Sequence, residues 1–251
     1  IAVMTLVWKT LAPVHALVGN IPQLAALVRS RRQIDRVLSL RGEFRRGSGL
    51  RDVKAFDGRV SVVNVSHRFP GAHEAALTQL GLEVEAGERV VICGPAGAGK
   101  SALLDLMDGL HVPLAGTLRL DGVDFRQIAV DDLRRAVSTA RPESAFFHGT
   151  IIQNFQLACP ALSEDDVADA VAAMDLGGIV AGLPEGLQTR LTEAVRQTLP
   201  GATLKGLSLA RCLSRSAAVY LLDDPGADLD PPRRRALDAW LDALAGRTTV
   251  I

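Results

Sequence analysis

The residues best suited to chemistry are Gly94-Pro95-Ala96-Gly97-Ala98-Gly99-Lys100-Ser101. Gly94 and Gly99 bracket four residues and Lys-Ser follows at once, the spacing of a phosphate-binding loop. Glycines here let backbone N–H groups turn inward around phosphate oxygens, in conformations closed to other residues. Lys100 is placed to reach the outer phosphates of a nucleoside triphosphate, and the Ser101 hydroxyl to ligate Mg²⁺. The three cysteines, Cys93, Cys159 and Cys212, stand far apart, with no paired spacing for a metal or a disulfide framework. They read as reduced, mostly buried thiols of a cytoplasmic domain, with Cys93 in the core strand that leads into the loop.

The flanking elements fit that chemistry. Arg89 to Cys93 is a short β-branched run and reads as a buried strand, and Ser101 to Met107 has apolar residues at helical spacing. A helix starting at the loop adds the positive end of its dipole to the phosphate site. Upstream, Val60 to Ser66 and Leu80 to Glu85 alternate as strands, and Gly116 to Gly122 reads as a strand and turn. Downstream, Asp131 and Asp132 suit the first turn of a helix over 131–136, and Ser163-Glu164-Asp165-Asp166 opens a helix running to Met174. A second helical segment ends near Gly182-Leu183-Pro184, and Leu204 to Arg215 is amphipathic. Ala217 to Asp224 is a buried strand ending in two acids, followed by a helix over 232–244 and a last strand from Arg247. Strands alternating with helices around such a loop predict a three-layer α/β core with a parallel sheet.

Composition narrows the partners. Lysine plus arginine equals aspartate plus glutamate at 28 each, so there is no basic excess to select for nucleic acid. Residues 1–28 carry Lys9 and His15 but no acid, and Arg29, Arg31, Arg32, Arg36 and Arg41 follow. An apolar stretch running into clustered arginines is the positive-inside arrangement of a membrane helix emerging into the cytoplasm; an amphipathic helix packed on a soluble domain is the alternative. Residues 41–58, with four glycines among charges, predict a linker. The chain starts at Ile1 and stops within the apolar run Thr248–Ile251, so both ends read as cuts in a longer polypeptide.

Taken together, the strand-first region, the phosphate loop, the Gly116–Gly122 turn and the Asp223-Asp224-Pro225 strand end resemble the nucleotide-binding domain of ATP-binding-cassette (ABC) transporters. Ala12-Pro13, Leu133-Arg134-Arg135, Phe147 to Ile151, Leu183 to Leu187 and Leu209-Ala210-Arg211 are similar to the exporter type, in which membrane and nucleotide-binding domains share a chain. The resemblance implies a P-loop NTPase fold with an antiparallel β subdomain and a helical subdomain at about 143–215. It assigns residues 1–40 to the end of the last transmembrane helix and its cytoplasmic extension, 41–58 to a linker, and 59–251 to a C-terminally truncated nucleotide-binding domain. It further implies ATP and Mg²⁺ as cofactors, Phe69 stacking on adenine, and Asp223 holding Mg²⁺ through water. Asp224 would act on the attacking water, and Ala227 to Asp230 would touch a second ABC subunit, homo- or heterodimeric, arranged head to tail. The expected location is the cell (inner) membrane, with this domain facing the cytoplasm.

Several positions depart from the family pattern. Asp224 stands where the family has a glutamate, one methylene longer, and a displacement of about 1 Å in a catalytic group can cost on the order of 100-fold in rate. Pro142 falls at the Q-loop glutamine and offers neither an amide side chain nor a backbone N–H. Leu199-Pro200-Gly201-Ala202-Thr203 replaces Leu-Ser-Gly-Gly-Gln, removing a hydroxyl and a donor N–H meant for the partner's nucleotide. The switch histidine would lie beyond Ile251. These departures imply a degenerate site that binds Mg-ATP and hydrolyses it slowly or not at all. The alternatives are an active ATPase exporting peptide, protein or lipid with Asp224 as base, and a soluble cassette protein acting on nucleic acid. The charge balance and the apolar residues 1–28 oppose the last. The transported substrate is not written in these residues.

Overall fold

The computed structural model describes residues 26–35, 55–142 and 146–251. The chain divides into two units, Ile1–Arg45 and Arg46–Ile251. In the first, residues 26–35 form an exposed helix, α1, with Arg31 and Asp35 paired one turn apart at 3.7 Å. The stretch expected to end a membrane helix lies outside the described residues except for 26–28. Among the described residues, no helix is long and apolar enough to cross a membrane.

The second unit begins with β1 (Val60–His67), β2 (Leu77–Val84), β3 (Arg89–Val90), α2 (Lys100–Met107), β4 (Ala115–Leu120) and β5 (Val123–Asp124). It continues through α3 (Val130–Ala136), β6 (Val137–Ala140), α4 (Ile151–Ala158), α5 (Glu164–Ala173), α6 (Gly177–Ala181) and α7 (Glu193–Thr198). Then come α8 (Gly201–Leu213), β7 (Val219–Leu222), α9 (Pro231–Ala243) and β8 (Thr248–Val250). Strands β2-β1-β4-β5 form an antiparallel sheet, and β3-β8-β7-β6 form a second sheet in which every neighbouring pair is parallel.

The parallel sheet divides the core. Val219 and Leu221 of β7 pack on one side, with Leu103, Leu104 and Met107 of α2 and with Val60 and Val62 of the antiparallel sheet. Tyr220 and Leu222, pointing the other way by the two-residue strand period, pack with Phe155 of α4, Val167 of α5, Leu207 and Leu209 of α8 and Leu237 of α9. Both faces are covered, which is why β7 reads as an unbroken apolar run rather than an alternation. The three-layer core expected from the sequence is present. Local signals set the helix starts: Ser163 with Asp166, and Thr150 with Gln153, each form a capping box at the head of α5 and α4.

Three expectations need correction. The run Arg89–Cys93 is not a buried strand: β3 spans two residues, Val91 is 61% exposed, and Cys93 is exposed. Strand β3 stands at the end of its sheet with only β8 beside it, so its other flank is open among the described residues. Of the three thiols only Cys212 is buried; Cys159 is half-buried. Helix α8 also starts at Gly201, not Leu204. Strand β6 and helix α7 carried no clear pattern. Val137-Ser138-Thr139-Ala140 looks half polar, yet Ser138 is buried because its hydroxyl donates to the Cys212 carbonyl at 2.9 Å.

Candidate functional site: a cleft at the strand ends

Because β3, β8 and β7 run parallel, their carboxyl ends open on one edge of the sheet, the usual place for a ligand in α/β folds. The chain leaves β3 into the glycine loop and leaves β7 into Asp223 and Asp224. A cleft of about 540 Å³ lies there, lined by Gly94, Lys100, Asp223, Asp224 and Arg234 among others. The fold thereby brings together a cation and two carboxylates more than 120 residues apart in sequence.

The loop is shaped by its glycines. Gly99 caps α2 with φ 90° and ψ 11°, a left-handed conformation. A Cβ on it would stand 2.5 Å from the Ala76 carbonyl oxygen and 2.8 Å from Leu77 Cδ2. The residues from Pro95 to Ala98 are exposed, and Ala98 N–H closes the turn by donating to Pro95 O at 3.2 Å. Lys100 donates from Nζ to the carbonyls of Gly94 and Pro95 at 2.8 and 2.9 Å, holding its ammonium inside the loop. Ser101 is exposed in the first turn of α2. That turn carries no acid, leaving the helix dipole and the free N–H groups uncompensated by side chains. A glycine loop closed to a Cβ at Gly99, an ammonium and a hydroxyl at a helix start, and Asp223 across the cleft together fit a Mg²⁺-bound triphosphate.

Asp223 is half-buried, and its N–H donates to Ala140 O at 2.9 Å. Asp224 is exposed with φ 45°. Aspartate is enriched among the residues found in that left-handed region, so the shorter acid suits this backbone. Phe69 is not among the residues lining the cleft. It is half-buried and packs edge-on to His67 and His111, with ring centroids 5.0 and 5.3 Å away. Pro142 is exposed and its neighbours 143–145 lie outside the described residues. Pro200 occupies the N-cap of α8 and makes no side-chain cap bond. Asp228 has φ 58°, and Asp230 caps α9 by accepting from Arg233 N.

Two residues that the sequence did not single out belong to this region. Arg141 pairs with Asp105 and, at 3.0 Å, with Asp108, so the segment entering Pro142 is tied to α2. Lys205 of α8 is 5% exposed, and its Nζ donates to Arg141 O in a long bond of 3.4 Å. Burial pushes its pKa below the usual lysine value, while Asp224, Asp223 and Asp228 favour the charged form. The signal was weak because nearly every residue of α8 from Thr203 to Ala210 is inaccessible, so no polar stripe marked Lys205 as unusual.

The cysteines give a direct check on the cleft. Cys93 lines it, whereas burial pushes the Cys212 thiol up to about 11. At pH 8 a maleimide is expected to label Cys93 within minutes and to leave Cys212 unmodified in the folded protein, read by mass spectrometry of tryptic peptides. Labelling of Cys212 without unfolding contradicts its packing against β6.

Fold and site define the class: a P-loop nucleotide-binding domain with an antiparallel β subdomain and a helical layer. The chain belongs to the ABC transporter family, whose profile matches residues 77–227. It is similar to an ATP-dependent lipid A-core flippase of Chromobacterium violaceum, 31% identical over 204 residues, covering 81% of this chain and 35% of the flippase. It is also similar to ABC transporter B family member 19 of Arabidopsis thaliana, at 30% identity, covering 79% of this chain and 16% of that protein. A solved structure of a bacterial Atm1-family ABC exporter with ATP bound superposes with a TM-score of 0.80 at 25% identity, covering 98% of this chain and 43% of the exporter. The chain thus spans about a third of the length of the bacterial flippases it matches.

Proposed function

We propose that this chain is the nucleotide-binding part of an ABC exporter subunit, binding Mg-ATP and turning it over slowly. The observation that carries the reading is the shared cleft, where Lys100 and the head of α2 face Asp223 and Asp224. Lys100, the loop N–H groups and the helix dipole would hold the phosphates, and Ser101 and Asp223 would hold Mg²⁺, which neutralises phosphate charge when bound. Phe69 would stack on the base after its ring leaves His67 and His111. The similarity to membrane exporters supports a site at the cytoplasmic face of the inner membrane, and a second ABC subunit packed head to tail. Its signature segment would face the phosphates of this chain.

Slow turnover rests on Asp224, Pro142 and Pro200. Paired with itself, the chain would carry the Asp224 and Pro200 changes in both composite sites; paired with an ordinary partner, each site would carry one of them. Steady-state ATPase of the chain alone is expected at least about 100-fold below the ~10 s⁻¹ typical of enzymes. Asp224→Asn is expected to remove what remains without altering ATP binding, since asparagine tolerates the same left-handed backbone. The exposed Asp224 carboxylate in the cleft favours a second reading, a working ATPase with Asp224 as base. Brisk turnover that Asp224→Asn abolishes would establish the second reading over the first. A rate unchanged by Asp224→Asn removes this residue from the chemistry.

A further inference from the structure

Lys205 is a buried cation with an acidic neighbourhood and, among the described residues, one weak partner. It lies in the second turn of α8, where side chains lean back toward the helix start. Among the described residues its one hydrogen bond joins the carbonyl of Arg141, the residue before Pro142, at 3.4 Å. The sheet brings the acidic turn to it: Asp223 N–H donates to Ala140 O at 2.9 Å, one residue from the carbonyl that takes Lys205 Nζ. The charges of Asp224, Asp223 and Asp228 favour the charged form of the lysine. These carboxylates belong to the turn that follows β7, two of them with left-handed backbones at φ 45° and 58°. Carboxylates crowded on such a turn repel one another, and a nucleotide brings more negative charge. Nothing in packing calls for an ammonium here, since apolar side chains of similar volume fill such places without the cost of burying a charge. The chain has only four lysines, at positions 9, 54, 100 and 205, against 24 arginines, so its habitual cation is arginine. A lysine here supplies a compact point charge.

We propose that Lys205 is a positioning residue of the nucleotide site, a fixed countercharge that draws the Asp223–Asp224 turn and the Arg141–Pro142 segment together and lessens the site's need for a divalent cation. The proposal rests on the Mg-nucleotide reading above in one respect: the carboxylates it neutralises are those assigned to metal and water. Two consequences follow from Coulomb's law. With the ammonium in place, the carboxylates are poor ligands for a free divalent cation. With it removed, their full negative charge is available to the metal, and nucleotide without metal is repelled.

The test uses the whole chain and its Lys205→Met, Lys205→Gln and Lys205→Arg variants. In the nucleotide-free proteins, Mn²⁺ binding followed by electron paramagnetic resonance is expected to tighten by about tenfold or more in Lys205→Met and to stay at the parent value in Lys205→Arg, the effect of one nearby unit charge. Equal Mn²⁺ affinity in parent and Lys205→Met overturns the proposal. Lys205→Gln serves the same comparison if the methionine variant does not melt cooperatively. In a second arm, ATP is titrated in EDTA and in excess Mg²⁺. The ratio of the two dissociation constants is expected to rise by about tenfold in Lys205→Met, with the Mg²⁺ value little changed. A purely structural lysine would weaken both alike, and that result also overturns the proposal. Failure of the parent to bind ATP in Mg²⁺ would defeat the functional reading instead, and the Mn²⁺ arm would still decide the role of Lys205.

Discussion

Replacing Lys100 with alanine is expected to abolish the rise in melting temperature that Mg-ATP gives the parent chain. At about 100 times its dissociation constant a ligand adds roughly 2.7 kcal/mol to the stability of the state that binds it. For a domain of this size each kcal/mol moves the melting temperature by about 2–4 °C, so the parent shift is about 5–10 °C. In the structure the Lys100 ammonium is already drawn into the loop, 2.8 and 2.9 Å from the carbonyls of Gly94 and Pro95. A triphosphate would take up the remaining hydrogen-bonding capacity of that ammonium, and alanine has none to offer. The substitution is conservative for the fold, because the alanine keeps high helix propensity at the first residue of α2. The unliganded melting temperature should therefore move by less than about 2 °C, within the range for surface changes. A parent chain that shows no shift up to millimolar Mg-ATP would mean that the loop does not hold nucleotide in this chain by itself. A shift that survives in Lys100→Ala would place the nucleotide elsewhere.

The second large effect is expected at Gly99. An alanine there must hold φ near 90° and put its Cβ 2.5 Å from the Ala76 carbonyl oxygen and 2.8 Å from Leu77 Cδ2. The left-handed backbone alone costs about 1–2 kcal/mol for a residue with a Cβ, and displacing main chain adds to it. A total loss of about 3 kcal/mol or more corresponds to roughly 6–12 °C. Gly97 provides the internal comparison: its φ is 79°, but nothing lies within 4 Å of the place its Cβ would take. Gly97→Ala should lose only the conformational part, about 1–2 kcal/mol. Thermal or urea unfolding of the two variants side by side decides the matter. Equal losses would show that the approach of Ala76 to the loop plays no part, and that the strand β2 and the loop are not braced against each other.

The two predictions draw on different kinds of information. That the stretch 94–101 is a phosphate loop, with Lys100 and Ser101 at the head of a helix, is fixed by residue types at adjacent positions, because backbone conformation and helix start are local properties. The capping boxes at Ser163 and Thr150, the buried strand β7 and the end of that strand in two acids are local in the same way. Resemblance in those motifs sufficed to name the family. Other features depended on partners distant in the chain. The lack of room for a Cβ at Gly99 comes from Ala76, and the meeting of Lys100 with Asp223 comes from the β3-β8-β7 order. The exposure of Val91 and Cys93 follows from the open flank of β3, which no reading of the run Arg89–Cys93 could supply. Lys205 is the clearest case. Within α8 its neighbours in sequence, Leu204 and Gly206, are apolar or small and give it no context. Its meaning arises only when β7 and the turn after it bring three carboxylates within electrostatic reach, and when the segment before Pro142 offers a carbonyl. Periodicity and capping act over a few residues and can be read from the chain. Coulombic environment and burial depend on what packs alongside, and those were settled by the tertiary fold.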